Sequence, residues 1–504
     1  MGLTSILLER AARAALDTAK QALDADRALQ ATMGALIDAR AEEHRKRPSP
    51  RWRPGEPLEL LLAGYVGSRN TGADVRTEEM IRQFRHLLGD EHVALSILTI
   101  DAEWTRGYFK GVRQVLVPQI FPPFLYDEVA RYHGVIACEG SMFKSKFASA
   151  LTTMMVGALG LARAEDKIAV GYGGEAGAMD PSLAEMVERY VAGSLVITRN
   201  PESSAVLSRL GIETKVGTDT AWTFGGDEVD APTGLSDTLL RRAGWDGKKP
   251  VVVVCPIHPF WWPVRPDPWR ALVHRVSGAH ARSHFRSIYF HHDAPEVEKK
   301  LVAYLGKLAG AMIDVSHARD VFPVIVAMEA LDRRACERFS DLVERRAHTR
   351  WPLFASDEHD MWELVSILRR ASLVVSSRYH ALVCSMPAGV PSIGVTMDER
   401  IRNLMKDRGT PELSIEVDDG QLDVRVREAA LSLLAEPEAA RAPIERAVAR
   451  NLRVMGQMGA MLVDHVRAAH PRFPLRAGLG EGGDPLAHLP PLPALQTRIL
   501  ERHA

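Results

Sequence analysis

The chain has 504 residues, 46% hydrophobic and 25% charged, with 63 Lys and Arg against 64 Asp and Glu for a formal net charge of −1. That length exceeds one ordinary core and that composition is globular, so at least two packed units are expected. The balanced charge excludes a general attraction to nucleic acid or to an anionic bilayer and confines any anion site to a local cluster.

The opening MGLTSILLERAARAAL already carries Glu9, Arg10 and Arg13, so it lacks the uninterrupted core of a secretory signal. The nearest approach to a membrane-spanning run, Ala150 to Ala162, is too short and reads as a core helix. Four cysteines, Cys138, Cys255, Cys336 and Cys384, lie far apart and predict buried thiols rather than disulfides or a metal cluster. A reducing, cytoplasmic setting is the expectation, with work on a lipid-linked substrate at the inner membrane face as one option.

Thr4 to about Arg45 has apolar residues at helical spacing and reads as one or two amphipathic helices, a packing element or the seam of a homodimer. Four prolines between Lys46 and Pro57 make a linker. Leu58 to Gly67 is a buried strand entering a loop of small residues, and a helix begins near Asp74. A helix N-terminus aimed at the top of a sheet suits an anion or polar ligand, but the loop lacks both the dinucleotide and the P-loop glycine patterns. Strands follow at Val93 to Asp101 and at His133 to Gly140, the second leading to Ser141, Lys144 and Lys146 at a helix start. There an ammonium would either meet phosphate or carboxylate or simply face solvent. Lys167 to Asp180 is a strand with a Gly-rich turn; Ser194 to Ile212 pairs a strand with a helix, with Arg199 between them and Pro201 in the first turn. Lys215 to Trp222 ends the series and places Asp219 after a strand.

A polar, Gly-rich crossing from Gly225 to Lys249 separates this half from a second one, opened by the β-branched strand within Pro250 to Val264. His258, Trp261 and Trp262 follow it, either as a sugar-stacking platform or as a seal between domains. Ser287 to Asp293 reads as another strand; its His291, His292 and Asp293 are consecutive and cannot easily face one ion, which argues against a metal site. Pro323 to Met328 is a further strand, and Asp357 and Glu358 open the helix that precedes Leu373. Leu373 to Val395 then forms a strand, turn, helix and strand, with Ser376, Ser377, Arg378 and His380 at the carboxyl end of the first strand, where open α/β sheets bind ligands. An arginine and a histidine two residues apart suit an anionic ligand and an acid–base group, or a cap and a packing device. Beyond Leu413 the chain is helical to about His470, and the Pro/Gly-rich remainder reads as a surface tail.

The aliphatic run at Leu373, the Ser-Arg-x-His-Ala-Leu core from Ser377 to Leu382 and the Gly-Val-Pro turn at Gly389 to Pro391 resemble the C-terminal signature of the polysaccharide pyruvyl transferase family. Partial matches precede it in order: Asn70, Gly72 and Asp74; Arg199 with Leu207 and Gly211; and Asp219. Ala73, Glu139 and Asn200 stand where the family commonly has Asp, Gly and Asp. The resemblance spans roughly Leu58 to Gly409 and implies two doubly wound, Rossmann-like α/β domains in a GT-B-like arrangement, with a helical N-terminal extension and a helical C-terminus. The expected divisions are 1–53 for the extension and linker, 54–235 for the acceptor side, 236–420 for the donor side and 421–504 for helices and tail.

The resemblance also implies a reaction: pyruvate passes from phosphoenolpyruvate to two hydroxyls of a sugar, as a cyclic ketal in polysaccharide biosynthesis for the cell envelope. Arg378 and Arg199 would hold the donor's carboxylate and phosphate, with Lys144 a further candidate, and no cofactor or metal is then needed. His380 would be the acid, and Asp74 or Glu139 the base toward the acceptor. Asn70, Gly72, Ser141, Asp219 and Ser377 would complete the binding surface. Two alternatives stay open: a glycosyltransferase using a nucleotide sugar, and a non-catalytic carbohydrate-binding or scaffold protein.

Overall fold

Strands that alternate with helices and read as continuous apolar runs bury both faces, which is the pattern of parallel sheets covered by helices. The structure, a computed structural model, describes residues 24–225, 234–267, 270, 271, 273, 289–480 and 482–503. Its first sheet has the order β3-β2-β1-β4-β5-β6-β7 and every pairing is parallel. The strands are β1 (Leu58–Ala63), β2 (Val93–Thr99), β3 (Arg113–Leu116), β4 (Gly134–Ala137), β5 (Ile168–Gly174), β6 (Leu195–Thr198) and β7 (Lys215–Val216). The second sheet has the order β12-β11-β8-β13-β14-β15, again parallel throughout. Its strands are β8 (Val251–Cys255), β11 (Phe322–Ala327), β12 (Leu353–Ala355), β13 (Leu373–Ser376), β14 (Ser392–Thr396) and β15 (Ser414–Glu416). Strand order reverses beside β1 and beside β8, so each sheet opens a crevice at its carboxyl edge.

Strand β10 (Tyr289–Phe290) does not join the parallel sheet: it pairs antiparallel with β9 (Arg265–Pro266) in a separate two-stranded ribbon. Ser287 and Ile288 of the expected strand lie outside the described residues, as do 226–233 of the crossing between halves.

Helix α1 (Ala25–Lys46) lies on the first lobe. Met33 and Ile37 fill notches over two glycines of the helix Ser149–Ala164: a Cβ on Gly157 would stand 2.6 Å from Met33 Cγ, and one on Gly160 would stand 2.7 Å from Ile37 Cδ1. The described part of this apolar face is thus used within the chain; the preceding part, residues 1–23, lies outside the described residues.

The long helix Pro437–Ala469 reaches both lobes. Its Asn451 accepts from Thr218 of the first lobe and donates to Asp407 of the second at 3.3 Å. The segment after it is not the surface tail its composition suggests. Leu479, Leu489, Ile499 and Leu500 are buried, His488 is fully buried, and Gln496 Nε2 donates to the carbonyls of Trp222 at 3.1 Å and Phe224 at 2.9 Å. Proline and glycine here interrupt regular hydrogen bonding without removing the apolar residues that drive docking. No helix among the described residues is long and apolar enough to cross a membrane. All four cysteines are buried and free.

Candidate functional site

The carboxyl edges of the two sheets meet around one pocket. Asn70, Gly72 and Ala73 line it after β1, Glu139 and Gly140 after β4, and Arg199 after β6. From the second lobe come Ile257 after β8, Met328 after β11, Ser377 to His380 after β13, and Met397 and Arg400 after β14. Parallel strands deliver their loops to the same edge, which is why residues more than 300 positions apart line one space.

Asn70 caps the helix Thr71–Leu88, its side chain accepting from the amides of Gly72 at 3.1 Å and Ala73 at 3.3 Å. The cap leaves the Thr71 amide to donate across the lobes to the Met328 carbonyl at 2.8 Å. Gly72 is required by His380, because a Cβ there would lie 2.1 Å from the imidazole Nδ1. Asp74, one turn on, is 2% exposed and does not line the pocket. Burial pushes its carboxyl well above the usual range despite nearby Arg69, and its Oδ1 makes no hydrogen bond. Buried and off the pocket wall, with its charged form disfavoured, it is poorly placed to serve as the base. Glu139 is half-buried and lines the pocket.

Behind the wall runs a buried chain of charges. Asp219 is fully buried and accepts from Arg199 at 3.0 Å and from the Ala221 amide at 2.9 Å. Arg76 Nε lies 3.1 Å away and His380 Nε2 3.3 Å away. Burial opposes the charge on Asp219, but Arg76, His380 and Arg199 outweigh it and hold the carboxyl well below its usual range. Arg199 also pairs with Glu175 at 2.9 Å, and its guanidinium lies 4.3 Å from the Tyr379 ring centroid. Glu175 is lowered in turn, burial being overcome by Arg199 and Lys144. Lys144 bonds Glu175 at 2.7 Å and Glu399 of the other lobe at 3.1 Å. It sits in an extended loop bridged to Ala176 rather than at a helix start, for the helix begins at Ser149, and its side chain does not reach the pocket wall. Ser141 is buried beside it, its amide 3.4 Å from Glu139 Oε1.

On the second lobe Arg378 holds Asp332 through Nε at 2.7 Å and through Nη2 at 2.5 Å, and also Glu329 at 2.6 Å. Burial exceeds the pull of Arg378 on both acids, raising Glu329 and pushing Asp332 up to about 6. Ser377 is tied to Tyr304 at 2.8 Å. Burial lowers the pKa of His380, against the opposing pull of Asp219. Arg400 bonds only Asp398 among the described residues, through Nε at 2.8 Å and Nη2 at 2.7 Å, and lies 4.6 Å over the Phe147 ring. Its Nη1 is thus available at the pocket.

Of the sequence-predicted residues, Asn70, Gly72, Glu139, Arg199, Ser377, Arg378 and His380 converge on the pocket, whereas Asp74, Ser141, Lys144 and Asp219 stand behind it. Arg76, Glu175, Glu329, Asp332, Tyr379 and Arg400 were not anticipated; each of the last five stands within a few residues of a strand's carboxyl end, which was the available signal. Trp261 is stacked between His258 at 4.1 Å and His291 at 4.0 Å, so neither indole face is free for a sugar. Trp262 packs edge-on with Phe147 at 5.0 Å, and Val264 donates to the Phe147 carbonyl at 2.9 Å, which makes this cluster an inter-lobe seal.

Residues 168–399 match the polysaccharide pyruvyl transferase family. The matched stretch contains Arg199, Asp219, Arg378 and His380 and begins after Asn70 and Glu139. It supports a transferase that modifies a polysaccharide. No curated protein matches the chain. Among solved structures, a UDP-GlcNAc 2-epimerase from Neisseria meningitidis bound to UDP-GlcNAc aligns at TM-score 0.50 and 11% identity, over 82% of this chain and all (100%) of that one. A putative UDP-N-acetylglucosamine 2-epimerase from Listeria monocytogenes aligns at TM-score 0.49 and 11% identity, over 81% and 97%. Anabaena HepE in complex with UDP-glucose aligns at 0.48 and 11%, over 81% and 99%. Such identities speak to fold alone: the protein is a GT-B-like pair of α/β lobes with helical ends.

Proposed function

We propose that the protein transfers pyruvate from phosphoenolpyruvate to two hydroxyls of a sugar in a glycan or glycan precursor, forming a ketal. The observation that carries this reading is the convergence of His380, Arg378 and Arg400 of one lobe and Glu139 of the other on one pocket. Arg400 and Arg378 each retain an Nη1 beyond their carboxylate pairs and meet the donor's phosphate and carboxylate. Arg199, held by two carboxylates and a ring, supports the wall instead.

Burial disfavours the charged form of His380. An arriving phosphate favours the imidazolium, which then has a proton to give. That proton adds to the donor's methylene carbon, taking the electron pair of the double bond and leaving an oxocarbenium-like centre at the adjacent carbon. One sugar hydroxyl attacks this centre and its proton goes to Glu139. The phosphate leaves with the electrons of its C–O bond, and the second hydroxyl closes the ketal, its proton restoring the imidazolium. A nucleotide-sugar transferase is the second reading, supported by the fold likeness to an epimerase whose structure holds UDP-GlcNAc.

Calorimetric titration with phosphoenolpyruvate, UDP and UDP-GlcNAc separates the two. Phosphoenolpyruvate is expected to bind, and Arg400→Ala to weaken it by about 10- to 100-fold, the worth of one charge-assisted hydrogen bond at about 1.5–3 kcal/mol. Binding of UDP or UDP-GlcNAc without any binding of phosphoenolpyruvate overturns the proposal.

A further inference from the structure

We infer that Asp219 is a positioning residue for His380, and that this pair is assembled across the two lobes, so that His380 is correctly held only when the lobes are closed. The inference rests on the reading of His380 as the proton donor and adds what orients it.

Asp219 belongs to the first lobe, in the loop after β7, whereas His380 opens the helix Tyr379–Ser385 of the second. The carboxylate cannot itself touch a substrate, since it is fully buried and absent from the pocket wall. Its two oxygens are committed: Oδ1 to the Ala221 amide, Oδ2 to Arg76, Arg199 and His380. Arg76 is anchored to the carbonyls of Cys138 at 3.2 Å and Gly173 at 2.7 Å, so the acceptor of the imidazole proton is fixed to the ends of β4 and β5. The loop is braced from behind as well, with Thr218 bonded to Asn451 and Thr220 Oγ1 donating to the Arg76 carbonyl at 2.9 Å.

With Nε2 donating to Asp219, the other ring nitrogen is left to the pocket side, against Gly72 of the first lobe. The groups facing the imidazole are Asp219, Arg76 and Arg199 from the first lobe and the Tyr379 ring, 5.0 Å away and perpendicular, from its own helix. Glu139 stands on the same pocket wall. Three further contacts close the same seam: Lys144 to Glu399 at 3.1 Å, Lys146 to the Met397 carbonyl at 2.6 Å and Thr71 to Met328 at 2.8 Å. Separating the lobes would leave Asp219 with both arginines but strip His380 of the one carboxylate it contacts among the described residues. An open lobe pair thus holds a mis-set imidazole, and the donor is not protonated until the acceptor-side lobe has closed.

The test is a histidine-ring NMR titration of the full chain, with His380 picked out among the 18 histidines by the signal lost in His380→Gln. Asp219→Asn removes the partner's charge; Gly72→Ala keeps every charge and pushes the ring off with a methyl group. In both, the His380 midpoint is expected to fall by about one pH unit or more. The alkaline limb of the pH profile for ketal formation, where the proton donor loses its proton, is expected to move with it, with kcat reduced more than KM. If Asp219→Asn does not fold, Gly72→Ala carries the test alone. An unchanged midpoint in Gly72→Ala, or a fall in kcat with an unmoved pH profile, overturns the inference. Failure of the wild type to bind phosphoenolpyruvate leaves this titration intact and overturns only the reaction proposed above.

Discussion

Lys144 separates a donor-binding role from a structural one, and Lys144→Met tests which it has. The substitution keeps most of the apolar stem and removes only the ammonium. Two contacts are lost. Glu399 is 37% exposed, so that arm is worth about 0–1 kcal/mol after solvent screening. Glu175 is 1% exposed and loses a hydrogen bond of 2.7 Å, but it keeps Arg199 at 2.9 Å and the Asn200 amide at 3.1 Å. A full orphaned buried charge costs about 3–5 kcal/mol; with those two partners left, about 2 kcal/mol is the reasonable size. For a lobe of about 200 residues that corresponds to a melting temperature lower by roughly 4–8 °C at pH 7. Glu175 is depressed in the folded state, so its contribution is present above the ordinary carboxylate range and is lost as pH falls through its folded value. Removing Lys144 weakens that depression, and the deficit begins at higher pH than in the wild type. Scanning calorimetry at pH 7 and pH 4, with phosphoenolpyruvate titrations alongside, decides the matter. An unchanged melting temperature together with a tenfold loss of donor affinity would refute the structural assignment and restore Lys144 to the binding surface.

Gly157→Val places side-chain atoms where Met33 lies; an overpacking cost of about 1–3 kcal/mol is expected, with faster proteolysis in the linker 47–57 as helix α1 loosens. Unaltered melting and digestion would mean that the helix does not rely on this notch. Asp332, pushed up to about 6, binds its proton more tightly folded than unfolded, so its contribution is complete below the ordinary carboxylate range and fades as pH rises toward 6. The wild type should therefore lose up to about 3 kcal/mol from this group between pH 4 and pH 6.5, and Asp332→Asn should flatten that stretch of the melting curve. Parallel profiles for the two proteins would count against it.

The buried strands were legible because a parallel strand covered on both faces is a continuous apolar run: Val251–Cys255 and Leu373–Ser376 stand within a residue or two of where their β-branched runs put them. Edge strands carry no such run, and Arg113–Leu116, half exposed, left no trace. At the site, residues just past a strand could be found from the pattern alone, which is how Arg199, Ser377, Arg378 and His380 came into view. Their partners could not. Glu329 and Asp332 acquire meaning only beside an arginine about 46 residues on, and Arg76 reads as a solvated helix position although it is 1% exposed. The last segment escapes a compositional reading because proline and glycine signal exposure, whereas its leucines and Gln496 are what dock it.

One buried amide carries a consequence for synthesis. Gln83, in the first helix after β1, satisfies its Nε2 among the described residues through the carbonyls of Met455 and His488, the latter 405 positions later. At ribosomal rates of about 5–20 residues per second, that helix waits on the order of 20–80 s with an unmet polar group on its inner face. The first lobe, although made first, cannot reach its final packing first. Until the distant segment arrives that amide lacks its native partners, and substitutions near residue 488 should show themselves as poor yield of the whole chain before they show themselves in the activity of what folds.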